Sequence, residues 1–393
     1  MALNDPRVTK QAEILVKYST RVKKGDRVLI VADWLAKPLA LEIYKEAIKA
    51  GAIEVRVHFD VDEQVISRSY NEFAEAFFKY AKPFQIKEFP KLADQELKGL
   101  DVWMRLYAQA NTRGFSNIDA SLISERAKVV RPIIDYRVLK TRWVITKVPT
   151  EAQAQEADMS LSEYENFVFS AINEVDWVVK QKEQERLRKI VDAVSEVHII
   201  GPATDLRMSI KGRQSENGDG RFNMPDGEVF TSVVENSTEG FITYTYPALY
   251  LGKEFHNVRL EFKGGKVVKA TADKGEKDLN KILDIDSGAR FIGELGIGNN
   301  FAIKRFTKDI LFDEKIGGSI HLALGSGYKE TGSKNVSSLH WDMIKDLRGP
   351  AFDKSSARQG GPARNAFSIA DAGGELWFDD KLVQKNGKWL VKF

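Results

Sequence analysis

Cysteine does not occur in this chain of 393 residues. Its absence excludes disulfides, thiolate zinc sites and cysteine nucleophiles. It also fits a reducing compartment, so a cytoplasmic location is expected. No stretch reaches the roughly 20 consecutive apolar residues that span a bilayer as a helix. The opening MALNDPRVTKQAEILVKYST reads as an amphipathic helix without an apolar h-region, so no secretory signal is expected there. Charge of one sign is scarce as well. Lys and Arg number 59 against 56 Asp and Glu, a formal net charge of +3, and the two signs intermingle. Neither nucleic acid nor a membrane is an expected partner. The first strand is followed by bulky ADWLAKP and not by a Gly-x-Gly-x-x-Gly turn, which argues against a nucleotide cofactor. Histidine is rare, with five in the chain, so imidazole chemistry has few places to reside.

The remaining composition, 43% hydrophobic and 29% charged, is that of a globular enzyme, and the length favours two domains. DRVLIVAD reads as a buried strand, and Pro38 then opens a helix with Leu41, Tyr44 and Ile48 on one face. IEVRVHFD is a second strand, which makes a strand–helix–strand unit and implies a parallel sheet. DVWMRLYA adds another strand, and a long helical stretch, of one helix or two, opens at Ser160 or Ser162. From about Glu196 the pattern turns to short alternating runs and Gly-rich turns such as KGGK, the signature of antiparallel hairpins. The expectation is an α/β N-terminal domain with a parallel-type sheet, residues 1–185. An α+β, mainly antiparallel β domain, residues 186–393, follows and carries the chemistry. One clear helix, in DKGEKDLNKILDID, and a final hairpin turning at Asn386-Gly387 belong to the second domain.

Two of the five histidines fall in GGSIHLALGSGYKETGSKNVSSLHWD, residues 317–342. A strand period of two puts His340 and Asp342 on one face of SSLHWDMI, with Leu339, Trp341 and Met343 on the other. In GSIHLALG, His321 shares a face with small Ser319 and Ala323, which leaves room for an ion or substrate, while Ile320, Leu322 and Leu324 would fill a core. Spacing alone does not single these out. His58 pairs in the same way with Asp60, His198 with Glu196 and His256 with Glu254, and those three read as locally satisfied strand histidines. Two carboxylates stand out. Glu228 follows a Pro-Asp-Gly turn, and Glu294 sits among apolar residues between Gly293 and Gly296, where an unpaired carboxylate is costly to bury.

Taken in order, NMPDGEVFTS, IGELGIGNN, GGSIHLALGSGY and SSLHWDMI resemble the thermophilic aminopeptidase family, the aminopeptidase T and aminopeptidase S type metallopeptidases. RWVITKVPTEAQAQEADMS in the first domain matches it more weakly. The resemblance covers nearly the whole chain, is strongest over residues 222–347, and departs at 351–374, an apparent extra loop. The resemblance implies a Glu, Glu, His, Tyr, His-x-Asp series, which falls here on Glu228, Glu294, His321, Tyr328, His340 and Asp342. It also implies a homodimeric aminopeptidase with two metal ions, zinc or cobalt, acting on peptides with a free N-terminus. Oxygen and nitrogen donors without sulfur suit zinc, cobalt or manganese. The expected ligands are Glu228, Glu294, His321, His340 and Asp342, with Glu294 as the bridge because of its glycine-flanked position. Tyr328 is expected to donate a hydrogen bond to developing negative charge or to the attacking water. Another metal-dependent amidase or esterase, or a non-catalytic peptide binder on the same fold, are the rival readings.

Overall fold

The structure is a computed structural model in which residues 5–59, 70–250, 252–348 and 373–393 are described. The chain divides into two compact units. One comprises Met1–Asp176 and Gly220–Pro225, the other Trp177–Asp219 and Asp226–Phe393. The helix Trp177–Asp192, within which the sequence boundary near residue 185 falls, belongs whole to the second unit.

The first unit is built on a parallel sheet. Its strands β1 (Arg27–Ala32), β2 (Glu54–Phe59), β3 (Val102–Tyr107) and β4 (Arg142–Lys147) are runs of mainly apolar residues. Strands β1 and β3 are almost continuously buried, as parallel strands covered on both faces must be. The helix begun at Pro38 spans Lys37–Lys49 and packs on β1. Its buried face differs from the expected one. Leu39, Ala40, Ile43 and Ala47 are buried, while Leu41, Tyr44 and Ile48 are 41%, 39% and 47% exposed. Both stripes of this helix are apolar, and the buried one carries two alanines, which let the helix axis lie close to its support. The long helical stretch is two helices, Leu161–Asn173 and Trp177–Asp192, and Ser160 caps the first in a capping box with Glu163.

The second unit is antiparallel. Strands β5 (Glu196–Gly201), β6 (Thr204–Ser209) and β7 (Ser215–Gly218) come first. The short β8 (Asn223–Met224) returns to the first unit and completes its sheet in the order β2-β1-β3-β4-β8. The chain then forms β9 (Glu228–Thr231), β10 (Glu239–Thr243), β11 (Ala248–Tyr250), β12 (Lys253–Phe255), β13 (Arg259–Lys263) and β14 (Lys266–Thr271). After the helix Glu276–Leu283 come β15 (Ile292–Gly298), β16 (Ser319–Gly325), β17 (His340–Asp346), β18 (Glu375–Phe378), β19 (Lys381–Lys385) and β20 (Lys388–Trp389). Asn386 and Gly387 both take positive φ, 51° and 70°, which the two-residue turn between β19 and β20 requires.

These strands form an eight-stranded sheet, β14-β13-β10-β6-β5-β18-β19-β20, and a five-stranded sheet, β17-β16-β15-β9-β7. Both feed one core. Val197, Ile199, Leu206 and Met208 enter it from the first sheet, and Ile320, Leu322, Leu324, Trp341 and Met343 from the second. A bulge between Ile292 and Glu294 shifts the alternation of β15. Ile292 therefore joins Leu295 and Ile297 in the core, although they differ in parity.

The corrected helix face can be checked by urea denaturation. Ile43→Ala should cost about 2–5 kcal/mol, the usual loss for truncating a buried isoleucine. Ile48→Ala should stay within about 0.5 kcal/mol, as for an exposed site. Equal losses would return Ile48 to the core.

Candidate metal centre

The face of the five-stranded sheet opposite the core gathers the expected site residues. They come from four adjacent strands: Glu228 from β9, Glu294 from β15, His321 from β16, and His340 with Asp342 from β17. Each has a glycine or alanine in register on a neighbouring strand. Gly298 lies opposite Glu228, Ala323 lies between Glu294 and Asp342, Gly296 lies opposite His321, and Gly325 lies opposite His340. The small residues vacate the volume that the functional side chains occupy. At Gly296 the fit is tightest, since a Cβ there would stand 2.0 Å from His321 Nε2.

His321 Nε2 lies 3.4 Å from Glu228 Oε2 and 3.4 Å from Glu294 Oε1. His340 Nε2 lies 3.6 Å from Glu294 Oε2 and 3.5 Å from Asp342 Oδ2. The two oxygens of Glu294 thus face two different imidazoles. The other ring nitrogens are committed. His321 Nδ1 is 3.0 Å from the carbonyl oxygen of Glu314, and His340 Nδ1 is 2.7 Å from that of Ser326. A carbonyl can only accept, so each Nδ1 carries a proton, and each ring turns Nε2 towards carboxylate oxygens, as a lone pair when the ring is neutral and as a donor when it is protonated. Metal-ligating histidines are oriented in this way.

Lone pairs facing lone pairs need a proton or a metal cation between them. Glu228 Oε2, Glu294 Oε2 and Asp342 Oδ1 are buried without a hydrogen-bond partner. Donor atoms around a tetrahedral zinc-like ion at about 2.0–2.1 Å stand about 3.3–3.4 Å apart, close to the spacing here. Three overlapping groups have donor atoms mutually within 4.8 Å: Glu228, Glu294 and His321; Glu294, His340 and Asp342; and Glu314, His321 and Asp342. The residues therefore fit divalent metal. The metal-free electrostatics agree. Burial pushes Glu228 well above the usual carboxylate range, against the pull of Lys315. Burial likewise raises Asp342, against the pull of His340. At Glu294 the hydrogen bond from His321 and the two histidine charges outweigh burial, and its pKa is lowered. Burial opposes the His321 imidazolium, yet the Glu294 hydrogen bond and the Glu228 charge carry its pKa up to about 10.

Tyr328 follows β16 in a turn held by the Thr331 hydroxyl, which donates to the Tyr328 carbonyl at 2.8 Å. Its ring sits 5.3 Å from Phe230 and 5.6 Å from the His340 ring, centroid to centroid. Tyr328 is 47% exposed, yet desolvation of the phenol by its neighbours, then the charges of Glu294 and Asp342, push its pKa up, so it stays protonated. Sequence reasoning missed Glu314 and Lys315. They follow the short helix Ile310–Asp313, and their only sequence signal is an acidic cluster that reads as a helix cap. The other histidines lie elsewhere. His198 is 2.7 Å from Asp205 and not paired with Glu196, which instead accepts from Arg207. His256 pairs with Glu254 at 3.1 Å. His58 lies 3.4 Å from Glu96, and its expected partner Asp60 is outside the described residues.

Residues 4–351 match the profile of the thermophilic metalloprotease (M29) family. The chain belongs to that family. As a metallopeptidase it requires a divalent metal, and the three groups above are candidates to hold it. Aminopeptidase 2 of Geobacillus stearothermophilus is 27% identical over 372 residues, covering 86% of this chain and 88% of that protein. Among solved structures, wild-type AmpT from Thermus thermophilus superposes with a TM-score of 0.80 at 19% identity, covering 98% of this chain and 99% of that one. The 2,5-dihydroxypyridine dioxygenase of Pseudomonas putida KT2440 follows at a TM-score of 0.60 and 14% identity, covering 100% of this chain and 98% of that one. At such identities these two share the fold. The M29 match ends where the loop expected at 351–374 begins, and residues 351–372 of that loop lie outside the described residues.

Gly296→Ala tests this candidate site, because its methyl group must displace the His321 ring. The variant should stay folded by circular dichroism yet lose bound metal on elemental analysis, and activity with it. Full metal content would show that the ring has room to move.

Proposed function

We propose that the protein is an aminopeptidase that holds two divalent ions between Glu228, Glu294, His321, His340 and Asp342. The observation that carries this reading is the split orientation of Glu294, with Oε1 towards His321 and Oε2 towards His340. A carboxylate facing two imidazoles in this way is suited to bridge two ions. Glu228 and His321 would hold one ion, and His340 and Asp342 the other. Nitrogen and oxygen donors alone suit zinc, cobalt or manganese. Bound divalent ions supply a water of lowered pKa and polarise the scissile carbonyl.

The protein's own groups set the direction of attack. The His321 side chain is 1% exposed and that of His340 is 35% exposed, so a peptide would approach from the His340 side. Tyr328 stands on that side with its ring against His340. Its protonated phenol can donate to the oxyanion that develops as the peptide carbonyl becomes tetrahedral. Exopeptidase action is supported by relatives named aminopeptidases, among them Aminopeptidase 2 of G. stearothermophilus.

Two measurements test the reading. Chelation should abolish cleavage of aminoacyl amides, and two equivalents of metal per chain should restore it. N-acetylated peptides should be cleaved far more slowly than free ones. Equal rates on blocked and free peptides would replace the aminopeptidase with a general amidase, and full recovery at one equivalent would remove the second ion. Tyr328→Phe should lower kcat by about 10²–10³-fold, the usual loss of one oxyanion donor, with little change in KM or metal content. A normal kcat would reduce Tyr328 to a packing residue.

A further inference from the structure

Lys315 is the charged group of this site to which the reaction above gives no task. Its side chain is fully buried, at 0% exposure. Its backbone is tied at both ends. Its N–H donates to the Phe312 carbonyl at 3.1 Å, and its carbonyl accepts from Asn300 N at 3.0 Å. The ammonium pairs with the Glu314 carboxylate and stands 3.6 Å from Glu228 Oε1. The other oxygen, Glu228 Oε2, faces His321 Nε2 and has no hydrogen-bond partner. The two oxygens of Glu228 are therefore assigned to different neighbours, one to a fixed cation of the chain and one to the candidate ion.

Lys345 shows what a buried lysine with a purely structural role looks like here. Its ammonium donates to the carbonyls of Pro202 and Thr243, at 2.9 Å each. Lys315 instead pairs with carboxylates that border the site. The dipeptide Glu314-Lys315 also orients both residues of the buried half, since the Glu314 carbonyl holds His321 Nδ1. Buried ammonium groups are retained when paired, and here the pair partner is itself a candidate ligand.

Resting on the two-ion reading, we propose that Lys315 is a positioning residue that confines Glu228 to a single oxygen towards the ion. A free carboxylate can offer both oxygens to one ion. By engaging Oε1, Lys315 keeps one coordination position open on the buried side. The surrounding pair orients the ligand, as outer partners of metal ligands commonly do.

Lys315→Met, nearly isosteric and uncharged, tests this on the cobalt-loaded protein. Release of Oε1 should raise the coordination number, and visible absorption per cobalt should weaken as it does so. Turnover should fall about 10–100-fold, the range typical for loss of such a partner, with KM little changed. If the variant folds and its cobalt spectrum and affinity match the wild type, Lys315 is only a packing residue. If the wild type itself binds neither cobalt nor zinc nor manganese, the two-ion reading fails and takes this assignment with it, a result separate from the first. Should Lys315→Met not fold, a crystal structure of the cobalt-loaded wild type decides. Glu228 bound through Oε2 alone, with Oε1 on Lys315, is expected, and both oxygens on the ion would overturn the assignment.

Discussion

The constraint from which the site follows is the confrontation of two imidazole Nε2 atoms with three largely buried carboxylates. Two backbone carbonyls, of Glu314 and Ser326, create it by accepting from each Nδ1–H and turning each Nε2 inward. Unrelieved, such an arrangement is strongly unfavourable. Relief is visible in the direction of the pKa shifts. Without metal, protons take the cation's place, with Glu228 and Asp342 drawn towards the neutral acid and His321 towards the imidazolium. A site that gathers protons in this way is one from which divalent ions displace them. The glycines and alanines across the sheet are the steric counterpart of the same demand, since they leave the centre empty of side chains that would insulate the charges.

Much of this was legible in the sequence, for physical reasons that can be named. The period of two fixes which face His321, His340 and Asp342 share, and the apolar alternates Leu322, Trp341 and Met343 are in the core as that period demands. The glycines around Glu294 announced close approach, and Gly296 delivers it. The parallel first sheet and the antiparallel second unit followed from strand length and punctuation. What failed was local ambiguity. The helix Lys37–Lys49 is apolar on two stripes, and periodicity cannot choose between them. Glu314 and Lys315 were invisible because lysine and glutamate after a short helix are ordinarily solvated. Their burial depends on how the chain between β15 and β16 folds back, which no local pattern encodes. His198 likewise found a cross-strand partner, Asp205, where the sequence offered its own strand neighbour.

Fold and chemistry part company here. A dioxygenase shares the architecture over the full length of this chain at a TM-score of 0.60. The frame alone therefore does not choose between hydrolysis and oxygen chemistry. For this chain the choice is made by membership of a metalloprotease family.

The order of the five-stranded sheet, β17-β16-β15-β9-β7, sets strands distant in sequence side by side and draws donors from four of them. An ion held across these strands, as proposed, would act as a staple between chain segments that thermal motion would otherwise separate. Ions that bind the folded sheet and not the open chain stabilise it by mass action, about 2.7 kcal/mol at a free concentration 100 times the dissociation constant. On that proposal, the resistance of this domain to heat would be set by its surroundings as well as by its sequence. A melting temperature for this protein has meaning only when the free metal concentration is stated with it.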